Sequence, residues 1–517
     1  MTIKRVVLAI LTIFAIAQVG LSLNNSFSQP QIRGRLELYQ TNLMLHVTEY
    51  KTSPTDDFDL NSAVNSLVGE DPYSAARKKY QQVRSESITT RDNFRAQLKQ
   101  IDGSQADTVE VADSLANKGR KEQLEQQIRA IDNFIDELDL KRGILAAVEG
   151  ETPEAIAIWD RVSQQSDNSD KRYAQTATLL KQLWQDRPTD TSNAATIIKS
   201  NLDSWFSYQA LAQYDRVNDL SEDLTLLQER ERQIATNSVI KLAVISGLPF
   251  FGSIFGTIIL VFLVVQRLLK KETSIVATNG SINWETPWDW EITWQVLIVG
   301  FFFVTQFVIP LLLGLFNINP VNASLRIKSL YILGTYLAMA IGGISVLYFS
   351  IKSFLPLPQE WFKFKLNDNW FVWGFGGYLV AMPLVLLVSL INQLIWQGQG
   401  GSNPLLLLAL QAQDKIALAI FFITSSIAAP VFEEIMFRGF LLPSLTRYVS
   451  VSSAIIISGF IFAVAHLSLS EVLPLATLGI VLGFVYTRSR NLLAPMLLHC
   501  LWNSGTLVSL FVLGSGV

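Results

Sequence analysis

Residues 416–438, IALAIFFITSSIAAPVFEEIMFR, form an apolar run from Ile416 to Phe432 that ends in Glu433, Glu434 and Arg438. The run reads as a membrane helix, for which about 20 residues suffice. Charges placed in hydrocarbon cost roughly 2.5–3.5 kcal/mol each on insertion scales, so a cluster of them points to function and requires partners. The partners lie downstream: two of the three histidines in the chain, His466 and His499, also sit inside apolar stretches.

The rest of the chain supports a membrane setting. Half of its 517 residues are apolar and its mean hydropathy is positive, too hydrophobic for an ordinary soluble enzyme. Charge divides it into two parts. From Val239 onward there are 10 acidic and 14 basic residues, a balance of +4; subtraction from the totals of 44 and 41 leaves 34 acidic and 27 basic before it, a balance of −7. The first part is water-soluble and mildly acidic, the second nearly free of charge except in short loops. Neither is built for nucleic acid. The single cysteine, Cys500, excludes an internal disulfide and a cysteine-rich metal site. It follows His499 directly, and neighbours in sequence diverge on a helix, so a Cys–His nucleophile is set aside.

The N-terminus carries Lys4 and Arg5, then an apolar stretch from Val6 to Leu23. It is an export signal, either cleaved, for which Ala15-Ile16-Ala17 would suit a peptidase cutting before Gln18, or retained as an anchor. Residues 24–238 are polar, with helical spacing from Tyr73 to Gly103 and from Asp107 to Gly150. Gly150 and Pro153 end one helix and start the next, whose Ala155, Ile156 and Trp159 share a face. This predicts an extracytoplasmic stack of antiparallel helices, tetratricopeptide-like or coiled-coil; the single repeat-like unit at Glu149 to Val162 is weak evidence for a solenoid. The segment Glu222 to Gln233 is expected to lead straight into the membrane.

Residues 239–517 hold eight further apolar segments: Val239 to Leu269, Val296 to Phe316, Leu330 to Phe349, Phe371 to Trp396, Ile416 to Leu445, Ala454 to Leu469, Val472 to Tyr486 and Leu492 to Leu513. Their uneven lengths predict tilts, breaks and half-helices. The fold class is therefore all-α: a polytopic membrane helix bundle of about eight C-terminal segments, with an N-terminal signal or anchor helix and an extramembrane helical domain. Trp284, Trp288, Trp290 and Trp294, and Trp361 and Trp370 beside Lys363 and Lys365, read as headgroup anchors. Basic residues set the orientation. With the N-terminus in the cytoplasm, the inner loops contain Arg267, Lys270, Lys271, Lys352, Lys363, Lys365, Arg447, Arg488 and Arg490, and the outer ones only Arg326, Lys328 and Lys415. The expected location is a plasma, inner or thylakoid-type membrane with the helical domain on the non-cytoplasmic side. On this linear scheme Glu433 falls toward the inner side and His466 toward the outer end of its segment, so they meet only if a helix is broken or shifted in depth.

On a helix Glu434 and Arg438 share a face in the order that favours an ion pair. Glu433 is rotated away by about 100° and is the better reactive candidate: an acid that gains and loses a proton in a low-dielectric site. His499 and Asn503 are four apart, so one helix presents an imidazole and an amide one turn from each other. A single histidine in an apolar helix is ordinary core, whereas two histidines, two glutamates and an asparagine in the last 85 residues of a bundle that avoids ionisable groups are hard to explain as packing. Such a set can activate water with a carboxylate and an imidazole and stabilise an oxyanion with His499 and Asn503. A catalytic zinc held by Glu433, His466 and His499 is the alternative cofactor reading; the signature His-Glu-x-x-His is absent and nothing in the spacing demands a metal.

At these residues the sequence resembles the CPBP family of intramembrane proteases, related to the type II CAAX prenyl endopeptidase and also called the Abi group. Ala429-Pro430-Val431-Phe432-Glu433-Glu434-Ile435-Met436-Phe437-Arg438-Gly439 resembles the family's Glu-Glu-x-x-x-Arg motif, Phe462 to His466 its Phe-x-x-x-His, and His499 to Asn503 its His-x-x-x-Asn. The resemblance covers about Leu405 to Leu513. It implies that Glu433 and His466 activate water, that His499 and Asn503 stabilise the oxyanion, and that Glu434 and Arg438 support the site, whether by a metallo- or a glutamate-type mechanism. The expected function is an intramembrane endopeptidase acting on a membrane-associated protein or peptide, with the helical domain recruiting or gating it. The rival readings are a non-proteolytic immunity or scaffold protein of the same family and a proton-coupled transporter, the latter disfavoured because no matching pair of broken segments is evident.

Overall fold

The computed structural model describes residues 2–27, 29, 31–50, 68–104, 111–164, 170–187, 193–315, 323–411 and 414–514. Among them every regular element is helical. The expected helix starting at Asp107 and the apolar segment ending at Phe316 each have one end outside the described residues. Two units separate: Met1–Phe27 with Leu248–Ser515, and Ser28–Gly247.

The first element is α1 (Ile3–Phe27). The polar unit then contains α2 (Arg33–Val47), α3 (Pro72–Ser104), α4 (Val111–Val148), α5 (Thr152–Gln164), α6 (Lys171–Leu183), α7 (Ala194–Asn201) and α8 (Ser204–Val217). Gly150 ends α4 as the sequence requires: its φ of +86° places it in the left-handed region, and Glu151 N then donates to Ala146 O at 2.8 Å, the closing bond of a Schellman cap. In α5 the buried face is Ala155, Ile158, Trp159 and Val162, so Ile158 takes the place expected for Ile156. Trp159 is fully buried and donates to Leu140 O at 3.2 Å. An added Cβ on Gly143 would stand 2.2 Å from the Trp159 ring, so the indole lies directly on the backbone of α4.

A 50-residue helix, α9 (Ser221–Lys270), follows, as the register of Glu222 to Gln233 predicts. The membrane unit continues through α10 (Trp290–Leu315), α11 (Leu325–Ile351), α12 (Trp370–Trp396), α13 (Pro404–Gln411), α14 (Lys415–Leu445), α15 (Val451–Val464), α16 (Val472–Ser489) and α17 (Leu493–Gly514). Among the described residues eight helices are long and apolar enough to cross a bilayer: α1 and seven from α9 onward. The protein is a multi-pass integral membrane helix bundle. The segment Ala454 to Leu469 is a 14-residue helix that stops at Val464, at about 1.5 Å per residue too short to span by itself. This short helix removes the depth conflict between Glu433 and His466.

α15 and α16 pack with their backbones in contact at Gly459 and Gly479: a Cβ on Gly479 would sit 2.8 Å from Gly459 Cα. At the opposite end from the 465–471 turn, the loops that carry the basic residues meet. Asn279 donates to Arg488 O at 3.0 Å, Arg490 pairs with Glu360 at 2.8 Å, Trp284 N donates to Thr446 Oγ1 at 3.2 Å, and Asn491 donates to Lys365 O at 2.7 Å. Trp284, Trp288 and Trp361 are buried in this knot rather than standing at a lipid surface. Trp284 stacks on Tyr486 beneath the Arg490 guanidinium, 3.4 Å from its centroid, and Trp288 stacks on Phe440. Trp290 and Trp294 remain exposed, as membrane anchors should be.

Candidate active site

Asp414 starts the site helix by accepting from Ile416 N and Ala417 N at 2.9 and 3.2 Å, an N-cap that satisfies two orphan donors. Within α14 the helix widens to π-helical turns at Thr424–Ala428 and again at Ile435–Leu441, one on each side of Ala429–Glu434. Such bulges shift the faces that side chains present and recur at functional sites. Here they bracket the two acids.

Glu434 and Arg438 pair at 2.9 Å with neither side chain exposed. Arg438 also donates to Gly479 O at 3.0 Å and lies over the Phe462 ring, 4.5 Å from its centroid. His499 Nδ1–H donates to the same Glu434 oxygen, Oε1, at 2.8 Å. The Glu434–Arg438 pair therefore ties α14, α16 and α17 together. Glu434 Oε2 and Arg438 Nε are buried with no hydrogen-bond partner among the described residues, a cost that a purely packed core would not carry.

Glu433 points the other way, as the helical rotation requires. Its Oε1 accepts the Tyr336 hydroxyl at 3.2 Å, and its Oε2 stands 3.9 Å from His499 Nε2. His466 occupies the turn after α15. Its Nδ1–H donates to Phe462 O at 2.8 Å, which leaves Nε2 as the lone-pair nitrogen of the neutral ring. The Phe462 ring touches both imidazoles edge-on, with centroids 4.9 Å from His466 and 5.6 Å from His499. Asn503 uses one amide hydrogen on Ser425 O at 2.8 Å. Glu433, His466, His499 and Asn503 all line one cavity of about 320 Å³. Glu434 and Arg438 lie behind its wall.

Two cavity residues carry no signal that sequence reasoning picked up. Tyr336 comes from α11 and reads as an ordinary interfacial tyrosine. Glu471 stands at the start of α16, where it accepts Asn403 N at 3.0 Å and faces the same cavity. Its position five residues after His466, between two apolar segments, is the clue that was available. Among the described residues no three His, Cys, Asp or Glu side chains are grouped as metal ligands would be. His466 and His499 nonetheless each spend Nδ1 on an oxygen, Phe462 O and Glu434 Oε1, which leaves each Nε2 for the cavity, the pattern by which an imidazole is oriented to hold a metal, so the chemistry of Glu433, His466 and His499 fits one although the three are not drawn together around a single point.

A multi-pass helix bundle that encloses a polar cavity lined by a carboxylate, two imidazoles and an amide defines a membrane protein with an embedded polar site. Residues 415–505 match the family model described as "Type II CAAX prenyl endopeptidase Rce1-like". The match takes in the site helix, α15, α16 and most of α17. The chain is 27% identical over 135 residues to the "Putative membrane peptidase YdiL" of Bacillus subtilis (strain 168), covering 26% of this chain and 53% of the relative. It is 29% identical over 137 residues to the "Membrane-embedded CAAX protease MroQ" of Staphylococcus aureus (strain USA300), covering 25% and 54%. The chain thus spans about half the length of these curated relatives. No solved structure matches it.

Proposed function

We propose that the membrane unit is an intramembrane endopeptidase that hydrolyses a peptide bond of a membrane-associated protein or peptide. The observation that carries this reading is the convergence of Glu433, His466, His499 and Asn503 on one cavity inside an apolar bundle. The names of the two relatives and the matched family point to the same class of chemistry.

In this mechanism a water held between Glu433 Oε2 and His466 Nε2 attacks the scissile carbonyl carbon as the carboxylate takes its proton. Tyr336 holds the other Glu433 oxygen and so keeps Oε2 turned to the water. The free amide hydrogen of Asn503, together with Nε2–H of His499 when that ring is protonated, supplies hydrogen bonds to the developing oxyanion. Collapse of the tetrahedral intermediate breaks the C–N bond, and the proton taken from water passes to the leaving amine. Glu434 and Arg438 fix His499 and the helices that carry the set. No step is routed through a metal. The helical unit, on the non-cytoplasmic side in this reading, recruits or gates the substrate.

The test is purified full-length protein in detergent or lipid, offered a panel of membrane peptides with and without a strong chelator. Cleavage is expected to survive chelation and to vanish in Glu433→Gln. Undiminished cleavage by that variant sinks the assignment, and loss on chelation that zinc restores replaces the carboxylate–imidazole mechanism with a metal-dependent one.

A further inference from the structure

The third histidine, His46, is not part of the membrane site. It lies near the end of α2 and is 1% exposed. Its Nδ1–H donates to Glu231 Oε1, and Glu231 is itself 3% exposed. On the other side of the ring, Nε2 is 2.8 Å from Ser204 Oγ, with Ser204 partly exposed. A buried acid, an imidazole that it orients and the hydroxyl of a partly exposed serine form the arrangement that activates a serine nucleophile.

The backbone at Ser204 gives independent support. Asp203 is extended, with φ −118° and ψ 167°, Ser204 has a φ of +54°, and the helix α8 begins there. Left-handed backbone is unfavourable for a non-glycine residue and is kept only where the surroundings enforce it. Extended residue, left-handed serine and helix start are the sequence of conformations in a nucleophile elbow, which lifts the hydroxyl out and brings the next backbone N–H groups toward the reacting carbonyl oxygen. In the first turn of α8 the N–H groups of Trp205 and Phe206 lack intrahelical acceptors by the geometry of a helix start, which leaves them available to an oxyanion beside Ser204. Asp203 is held in place by buried Lys141, whose Nζ is 2.7 Å from Oδ1.

We propose that Ser204, His46 and Glu231 form a second hydrolytic site, in the helical unit, acting on small carboxylic esters. Ser204 Oγ attacks the acyl carbon while its proton passes to His46 Nε2. The alcohol leaves with that proton, and water then attacks the acyl-serine, releasing the acid and returning the proton to Ser204. Glu231 orients the imidazole and balances its charge. Because the ring is buried, the hydroxyl is reached only from its exposed side, which suits a small acyl group and not an extended polypeptide.

The experiment treats full-length protein in detergent with a fluorophosphonate probe, locates the adduct by mass spectrometry and follows hydrolysis of p-nitrophenyl acetate. The expected result is an adduct on Ser204 and ester hydrolysis that falls by about 10²-fold or more in Ser204→Gly and in His46→Gln. Glycine adopts the left-handed backbone at this position without strain, so Ser204→Gly removes the hydroxyl and keeps the turn. No adduct on Ser204 of the wild-type protein overturns the proposal, and so does an adduct whose rate of formation is unchanged in His46→Gln.

Discussion

His499 Nδ1 stands 2.8 Å from Glu434 Oε1, the same oxygen that Arg438 reaches at 2.9 Å. One buried carboxylate thus answers a guanidinium on its own helix and an imidazole from α17. Removing one partner of a buried ion pair leaves an uncompensated charge and costs about 3–5 kcal/mol. Arg438→Ala is therefore expected to lower the thermal unfolding midpoint of the detergent-solubilised protein markedly, and to weaken peptidase activity by unsettling the Glu434 carboxylate that positions His499. An unchanged midpoint would show that the pair is not what holds α14, α16 and α17 in register.

Tyr336 donates to Glu433 from a helix that the motif residues do not include. A hydrogen bond to a charged group is worth about 1.5–3 kcal/mol, so Tyr336→Phe is expected to reduce kcat by about 10- to 100-fold with KM little changed. Steady-state kinetics on a cleaved peptide measures the split. A change confined to KM would move Tyr336 from holding the carboxylate to binding substrate.

The contrast between these two residues shows what the sequence could and could not reveal. Glu434 and Arg438 are four apart on one helix, so their pairing follows from local geometry alone, and the cost of charge in an apolar run singles them out. The apolar segments and the concentration of Glu433, His466, His499 and Asn503 near the C-terminus were legible for the same reason. Tyr336 reaches Glu433 across 97 positions of chain, and no periodicity encodes such a meeting. The burial of Trp284 and Trp288 was hidden likewise, because it depends on Arg490 and Phe440 arriving from distant segments. The stop of α15 at Val464 follows from no proline or glycine; it is followed by a turn that places Leu467 in a left-handed conformation.

α1 is built into the membrane unit. Lys4 and Arg5 both pair with Glu291, at 3.2 and 2.9 Å, and Leu8 and Ala15 bury against Ile298. Ser26 Oγ donates to Gly400 O and accepts Leu469 N at 3.1 Å, in the turn that follows His466. A cut before Gln18 would discard most of these contacts. The mature protein is expected to retain residues before Gln18, and intact-mass measurement or N-terminal sequencing of the purified protein decides it. A start at Gln18 would contradict the expectation.

The contact of Gly459 with Gly479 leaves no room for a methyl group: a Cβ on Gly459 would lie 2.9 Å from Ile480 N. Gly479 also supplies the carbonyl that Arg438 uses. Overpacking of this kind costs about 1–3 kcal/mol. Gly479→Ala should therefore separate α15 from α16, lower the unfolding midpoint and weaken peptidase activity together, since His466 sits at the end of α15. A variant that loses stability while keeping full activity would uncouple the glycine contact from the site.

Asp215, on α8 in the helical unit, is 8% exposed. Burial, reinforced by the nearby Asp223 carboxylate, raises its pKa above the usual value. A carboxyl whose folded pKa is raised stabilises the fold fully only while it is protonated, below the unfolded value, and that contribution is lost as pH rises through the folded value. At neutral pH the ionised group therefore opposes folding. Asp215→Asn keeps the shape and removes the charge, so hydrogen exchange of α8 in the full-length protein should be slower than wild type at pH 7, the difference closing as pH falls to about 4, where an ordinary aspartate takes up its proton. A variant that exchanges faster at pH 7 would mean that the carboxylate makes a stabilising contact in its charged form.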